Sequence, residues 1–365
     1  MKKILFLTNM YPSEKYPTFG IFVEKTFIWL NTDYKVKLIK IRKQTLYILK
    51  LIAYLKFYLS AILAGAFGNY DCIYAHFISH CAFPIKVIRF FNRKVIIIGN
   101  VHGEDVFSQY DIFRKNFRWA KVFLNQSDYL ISPSEYYKNK IYQEYHYEWS
   151  KIFVSPSGGI DRDIFCPDEK YKCIKKLELD SNKKYIGYVS RIETGKGWDT
   201  FLSGAKLLIE DGWKDLEFII VGEGSESENM RSYIKELGLQ EKVKLFSLLP
   251  HKELHNLYNS LDIFCFPSRR EAESLGLVGL EAMSCKVPCV VSNIGGILTF
   301  AQDNYNCKVF DALSHTDMLI KIKELLNMDK DQLEVLKNNA EKTAMKYEKK
   351  LVEKKFLEFF ENIML

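Results

Sequence analysis

At 365 residues the chain is longer than one hydrophobic core normally grows, which predicts two domains of roughly 150–200 residues each. A hydrophobic share of 48% and a charged share of 27%, with no low-complexity tract and no fixed-period repeat, exclude a disordered or fibrous chain. The net charge of +7 is uneven: 23 lysines and arginines against 13 carboxylates give +10 in residues 1–165, and 29 against 32 give −3 in the rest, so the first half suits an anionic surface.

The amino terminus has a charged start, an apolar run of only four residues and no cleavage site, so residues 3–7 read as a first strand and not as a signal peptide. A cytoplasmic location is expected. The eight cysteines form no C-x-x-C pairs and sit mostly among apolar neighbours, as buried thiols do. A long loop, residues 9–20, follows the strand and ends at Gly20 before a helix. It is suited to laying amides against a phosphate, with a plain connection as the alternative.

Further strands are predicted at residues 34–41, 72–75, 95–101, 129–132 and 151–154, alternating with helical stretches. Residues 42–67 interleave Lys43, Lys50 and Lys56 with leucine, isoleucine, tyrosine and phenylalanine, and the uncharged part, 57–67, is too short to span a bilayer. A basic amphipathic helix lying peripherally on an anionic membrane and a buried core helix both fit this pattern. His102, in Val101-His-Gly-Glu-Asp105, stands at a strand's carboxyl end, where a histidine reaches a ligand hydroxyl or serves a structural role. His76 and His80 are read as structural.

Glycines and prolines concentrate at residues 156–167, which sets a first domain at 1–160 and a second at 161–345. In the second, strands at 185–189, 216–221, 243–246, 263–266 and 288–292 repeat the alternation. Residues 329–365 are helical in period, and 346–365 are expected to pack back on the first domain. The fold class that follows is α/β: two Rossmann-like, doubly wound parallel sheets facing a cleft, with ligands at the carboxyl ends of strands.

Arg191 and Lys196, in Ser190-Arg-Ile-Glu-Thr-Gly-Lys-Gly197, follow a strand with glycines beside the lysine. A guanidinium grips two phosphate oxygens and an ammonium adds a point charge, as a diphosphate needs; a solvated basic turn is the plainer alternative. A Walker P-loop is excluded because Gly197 stands where a magnesium-binding hydroxyl belongs. Gly222 and Gly224 read as a strand-end turn.

Glu273 and Glu281 stand eight positions apart around a turn, and a helix over 277–283 is predicted to open after Gly276. The unpaired amides of Leu277 and Val278 at its start attract phosphate or sugar oxygens, with Glu281 about two turns in. No metal is expected. His251 and His255 have helical spacing, yet their glutamate is in the wrong place for a zinc helix, and Asp161-Arg-Asp163 falls in the proposed linker.

Taken together, these residues resemble the retaining glycosyltransferases of GT-B fold known as glycosyl transferases group 1, over nearly the whole chain and most strongly at 156–296. The resemblance implies that Glu273 contacts the donor sugar and Glu281 the ribose, while Arg191 and Lys196 bind the diphosphate. It further implies backbone donors at Gly276, Leu277 and Val278, a phosphate-side glycine at Gly20, and a histidine reaching the sugar at His102. Ser247 and Leu248, in Phe246-Ser-Leu-Leu-Pro250, match the loop that brackets the base. Lys286, Leu298, Thr299 and Cys307 depart from the usual residues.

The implied activity moves a hexose-like unit, with retained configuration, from a nucleotide diphosphate sugar to a saccharide or polyprenyl-linked saccharide acceptor. It needs no cofactor, no metal and no nucleic acid, and it suits capsule or lipopolysaccharide biosynthesis. A nucleotide-sugar epimerase of the same fold and an inactive nucleotide-sugar-binding subunit are the competing expectations.

Overall fold

The structure is a computed structural model that describes residues 1–16, 19–107 and 114–365, without the side chains of 114–116. It divides into two compact units: Met1–Gly158 with Lys350–Leu365, and Gly159–Lys349.

In the first unit, β1 (Lys3–Thr8), β2 (Lys35–Lys40), β3 (Cys72–His76), β4 (Ile96–Asn100), β5 (Tyr129–Ser132) and β6 (Ile152–Val154) form one sheet in the order β2-β1-β3-β4-β5-β6. All pairings are parallel, with β1 flanked by β2 and β3. Parallel strands are covered on both faces, which explains continuous apolar runs such as Ile4–Leu7. Alternate residues feed opposite cores: Leu5, Leu7, Ile73 and Ile97 pack on one side, and Ile4, Phe6, Tyr74 and Ile98 on the other. Among the described strands of this unit, only the edge strand β2 carries exposed lysines, Lys35 and Lys37, as edges do to discourage further pairing.

Helices α1 (Ile21–Asp33), α2 (Tyr47–Phe67), α3 (Ile78–Phe91), α4 (Arg114–Leu124) and α5 (Glu135–Tyr145) join these strands. The last helix, α13 (Lys349–Met364), contributes Val352, Phe356, Phe360 and Met364 to the core that holds Phe6 and Tyr74. Phe360 meets Tyr74 edge-on at 5.3 Å and Phe356 at 4.9 Å.

In the second unit, β7 (Lys184–Val189), β8 (Leu216–Val221), β9 (Val243–Phe246), β10 (Ile263–Phe266), β11 (Cys289–Ser292) and β12 (Lys308–Phe310) form a parallel sheet in the order β12-β11-β10-β7-β8-β9. The short strand β12 has no counterpart among the predicted elements, because its three residues, Lys-Val-Phe, carry no measurable period. Helices α6 (Lys170–Lys176), α7 (Trp198–Glu210), α8 (Ser227–Glu236), α9 (His251–Ser260), α10 (Leu277–Ser284), α11 (His315–Leu326) and α12 (Lys330–Met345) surround it. Seven of the eight cysteines are buried and Cys166 is half-buried.

Phe360 is fully buried, so Phe360→Ala leaves an aromatic-sized void that the surrounding Tyr74, Phe356 and Phe359 fill only in part. The substitution is expected to lower stability by about 3–5 kcal/mol, read as a shifted urea midpoint at unchanged slope.

Candidate functional site

In the second unit β7 and β10 are neighbours, and the chain leaves them in opposite directions: β8 and β9 lie beyond β7, β11 and β12 beyond β10. The carboxyl ends of such a pair open a crevice, the place where a doubly wound sheet takes its ligands. The turn after β7 is residues 190–197 and the turn after β10 is residues 267–276.

These turns run so close together that side chains are excluded. A Cβ on Gly197, whose φ is 82°, would stand 1.8 Å from the Pro267 carbonyl oxygen. Arg269 N–H donates to the Gly195 carbonyl at 2.8 Å. Gly222 and Gly224, after β8, are equally constrained: a Cβ there would lie 1.9 Å from the Ser190 oxygen or 2.1 Å from the Ile192 oxygen. The pair that reads as an ordinary strand-end turn is therefore what lets the next turn lie against residues 190–192.

Across the crevice the Lys196 Nζ lies 2.8 Å from Glu273 Oε2, and the Ser268 hydroxyl donates to the same oxygen at 2.9 Å. Both charged side chains are only 11% exposed. Burial pushes the Glu273 carboxyl up, but the Lys196 ammonium, the Ser268 hydroxyl and Arg270 outweigh it and hold the group below its ordinary range. Gly296 N–H donates to the Glu273 carbonyl at 2.7 Å, so the turn after β11 grips the same segment from behind.

Arg191 is 62% exposed and pairs with Glu193 at 2.8 Å. Glu193 also meets Arg270 at 3.2 Å, while Arg270 Nε donates to the Thr194 carbonyl at 2.9 Å. Arg269 meets Asp199 at 2.6 Å. Neither Arg269 nor Arg270 is among the predicted site residues, although their place beside Glu273 in Pro267-Ser-Arg-Arg is the available signal.

Gly276, at φ 88°, opens α10 with no side-chain cap, and a Cβ there would press 2.5 Å from the Phe266 ring. The amides of Leu277 and Val278 stand at the positive end of the helix. Glu281 lies four residues beyond Leu277, about one turn in and not two, and accepts from the Tyr258 hydroxyl at 3.1 Å. Ser247 and Leu248 are exposed at the end of β9, two strands out from β7 and thus roughly 10 Å along the sheet from the crevice.

In the first unit Gly20 caps α1 at φ 81°, and a Cβ there would stand 2.7 Å from the Met10 side chain. His102 follows β4, and its Nε2 lies 2.8 Å from His76 Nδ1. Ring centroids 5.0 Å apart with planes inclined by 15° describe an in-plane N–H···N hydrogen bond, edge to edge, because stacked faces would not bring the two nitrogens to that distance. Burial pushes His102 down to about 3 and drives His76 lower than its ordinary value as well, so both rings are neutral at pH 7. His76, expected to be structural, is thus the direct partner of the candidate.

Asp168, Cys173 and His255 bring three ligand-type atoms within 4.8 Å of one another, a grouping that no spacing in the sequence suggests. Lys172 sits 3.6 Å from Asp168, and burial and the Asp168 charge raise the Cys173 thiol, so the group offers a protonated sulfur beside a cation. That chemistry does not favour a divalent ion.

Removing the ammonium strands a buried carboxylate. Lys196→Met is expected to cost about 3 kcal/mol, and adding Glu273→Gln should restore most of it in urea melts. Because the folded-state carboxyl titrates below its ordinary value of 4.5, its stabilisation is present above that value and lost as pH falls through the folded one. The acid-side loss of stability should shrink in Lys196→Met, where only the Ser268 hydroxyl and Arg270 oppose burial at Glu273.

Residues 169–343 match the family described as Glycosyl transferases group 1. The D-inositol 3-phosphate glycosyltransferase of Segniliparus rotundus is 27% identical over 205 residues, 55% of this chain and 45% of that protein. The one from Mycolicibacterium gilvum is 29% identical over 198 residues, 53% of this chain and 42% of that protein. The matches thus span less than half the length of these curated relatives. Among solved structures, the sucrose-phosphate synthase of Thermosynechococcus elongatus superposes with a TM-score of 0.81 at 15% identity, covering 100% of this chain and 99% of that one. Anabaena HepE, solved in complex with UDP and glucose, gives 0.75 at 18% identity, covering 99% and 100%. Such identities establish the fold alone: it is the α/β class expected from the strand alternation, of the GT-B type that the resemblance implies. Through residues 169–343, just under half of its length, the chain is similar to the glycosyl transferases group 1 family.

Proposed function

We propose that the chain is a retaining, metal-independent glycosyltransferase that moves a sugar from a nucleotide diphosphate sugar to a saccharide or polyprenyl-linked saccharide acceptor, in cell-surface polysaccharide synthesis. The single observation that carries this reading is the nearly buried Lys196–Glu273 pair at the β7/β10 crevice, beside the open start of α10. The match of residues 169–343 to the glycosyl transferases group 1 family and the UDP and glucose held by HepE support it.

In this reading the bond from the anomeric carbon to the diphosphate breaks and a bond to an acceptor hydroxyl oxygen forms on the same face. The acceptor proton passes to the departing phosphate oxygen, so no protein nucleophile is required. Lys196 and Arg191 stabilise the charge growing on the diphosphate, and the Leu277 and Val278 amides add fixed dipoles that need no rearrangement. Glu273, released from Lys196 as phosphate takes its place, turns to the sugar hydroxyls, and Glu281 to the ribose. His102 is a neutral imidazole whose Nε2 is taken by His76, and its remaining ring nitrogen is assigned to the sugar.

Arg191 is largely exposed, so Arg191→Ala should fold normally and yet lose the thermal stabilisation that UDP-, GDP- or ADP-sugars give the parent chain. Lys196→Ala should lower kcat/KM by about 100- to 1,000-fold below its own melting temperature. Anomer-resolved NMR of the product tests retention, and full activity in EDTA tests metal independence. A donor epimerised without any acceptor would replace this reading with the epimerase, and nucleotide-sugar binding with no turnover would replace it with a binding subunit.

A further inference from the structure

Helix α2 shows two unlike faces. Phe57, Ala61 and Gly65 are buried, and a Cβ on Gly65 would stand 2.6 Å from Ile88 of α3, so this row is packed tightly into the first unit. Two residues away, and so about 200° around the helix, Leu55, Leu59 and Leu63 are 59%, 54% and 60% exposed. Leu51 and Phe67 extend that row in both directions. The end of α3 continues it: Phe67 packs on Phe91 at 5.7 Å, and Phe90 and Phe91 are themselves exposed.

A contiguous apolar surface of this kind marks a docking face, and its charges say for what. Residues 34–70 and 72–103 contain no aspartate or glutamate. Exposed Lys43, Lys50 and Lys56 flank the α2 row, and Lys86, Arg93 and Lys94 flank the end of α3. Two adjoining hollows of about 730 and 470 Å³ lie between α2 and the edge strand β2, sharing Ile39, Lys40 and Ser60. Lys37 lines one, Arg42 and Lys56 the other, and Leu63 and Phe67 border the first. Burial and the Arg42 guanidinium push the Lys40 ammonium down, with Glu24 the carboxylate that opposes them. Cations crowded beside apolar side chains fit an amphiphile with an anionic head.

At 21 residues α2 has the length and hydropathy to span a bilayer, but spanning would strip Phe57, Ala61 and Gly65 from their core. It is built to lie flat. We propose that α2 and the end of α3 seat the first unit on an anionic bilayer, with the leucine row at the acyl boundary and lipid phosphates in the basic groove against β2. This inference concerns attachment alone and does not depend on the transferase reading.

Co-sedimentation of the full chain with vesicles of phosphatidylcholine, with and without phosphatidylglycerol, tests it. Binding is expected only with phosphatidylglycerol and should fall as salt rises. Lys50→Ala with Lys56→Ala should weaken it about thirtyfold, the equivalent of about 1 kcal/mol per lysine. Leu55→Glu with Leu59→Glu should abolish it while leaving the thermal melt unchanged, since both side chains are exposed. Failure to sediment with anionic vesicles, equal binding to neutral ones, or undiminished binding by the glutamate variant would overturn the proposal. So would a chain whose leucine row is covered by a second copy, seen as a dimer that the glutamate variant dissociates with no change in vesicle binding.

Discussion

An ammonium and a carboxylate held together out of water set the form of the second unit's ligand end. Taking Lys196 and Glu273 from solvent costs several kcal/mol per ion before their attraction returns any of it, so two apolar residues would hold β7 and β10 together as well. The pair makes better sense as a stored cation. Lys196 is already largely stripped of water and already aimed, and Glu273 balances its charge. An anion entering there would trade one partner of the lysine for another and would avoid most of the desolvation that a free surface lysine demands.

That arrangement rests on the backbone more than on the charges. The turn after β7 lies within van der Waals distance of the turns after β8 and β10 only because Gly197, Gly222 and Gly224 have no Cβ. Their approach in turn follows from the strand order, which makes β7 and β10 neighbours although two strand–helix repeats separate them in sequence. Arg269 and Arg270 then tie the two turns through Asp199, Glu193 and the Thr194 carbonyl, so the lysine sits on a cross-braced frame.

Strand alternation is legible in the sequence wherever an apolar run outlasts a single turn of pattern, which is why eleven of the twelve described strands are predicted and the three-residue β12 is not. The grouping of Lys196, Glu273 and Gly276 is legible as well, since glycine, lysine and glutamate at fixed offsets after a strand single out two turns, and the structure brings Lys196 to Glu273 beside the start of α10. Partnerships are not. The bond from His76 to His102 spans 26 residues and joins the ends of two strands, and no local spacing announces it. The same holds for Glu193, whose role in linking Arg191 to Arg270 depends on which turns the sheet brings together. The two readings open for residues 42–67 describe opposite sides of one helix: Phe57 and Ala61 face a core and Leu55 and Leu59 face outward.

The departures from the family pattern show how much of the frame is negotiable. Lys286 stands just past α10 at φ 58°, a left-handed position that costs a side chain about 1 kcal/mol and favours glycine. Its ammonium meets Asn338 at 2.8 Å and Glu341 at 3.5 Å, both on α12, which offsets the strain with ties a glycine could not make. Leu298 is 47% exposed, and Thr299 beside it closes the 3₁₀ turn whose opening glycines carry the contact to Glu273. Cys307 is fully buried, a small thiol where small size is what matters, and its sulfur donates to the Gln302 carbonyl in the turn before β12. Substitutions of this kind act behind the crevice, where packing can compensate. The glycines that let its turns approach admit none, because no rearrangement of neighbours makes room for a Cβ 1.8–2.1 Å from a carbonyl oxygen.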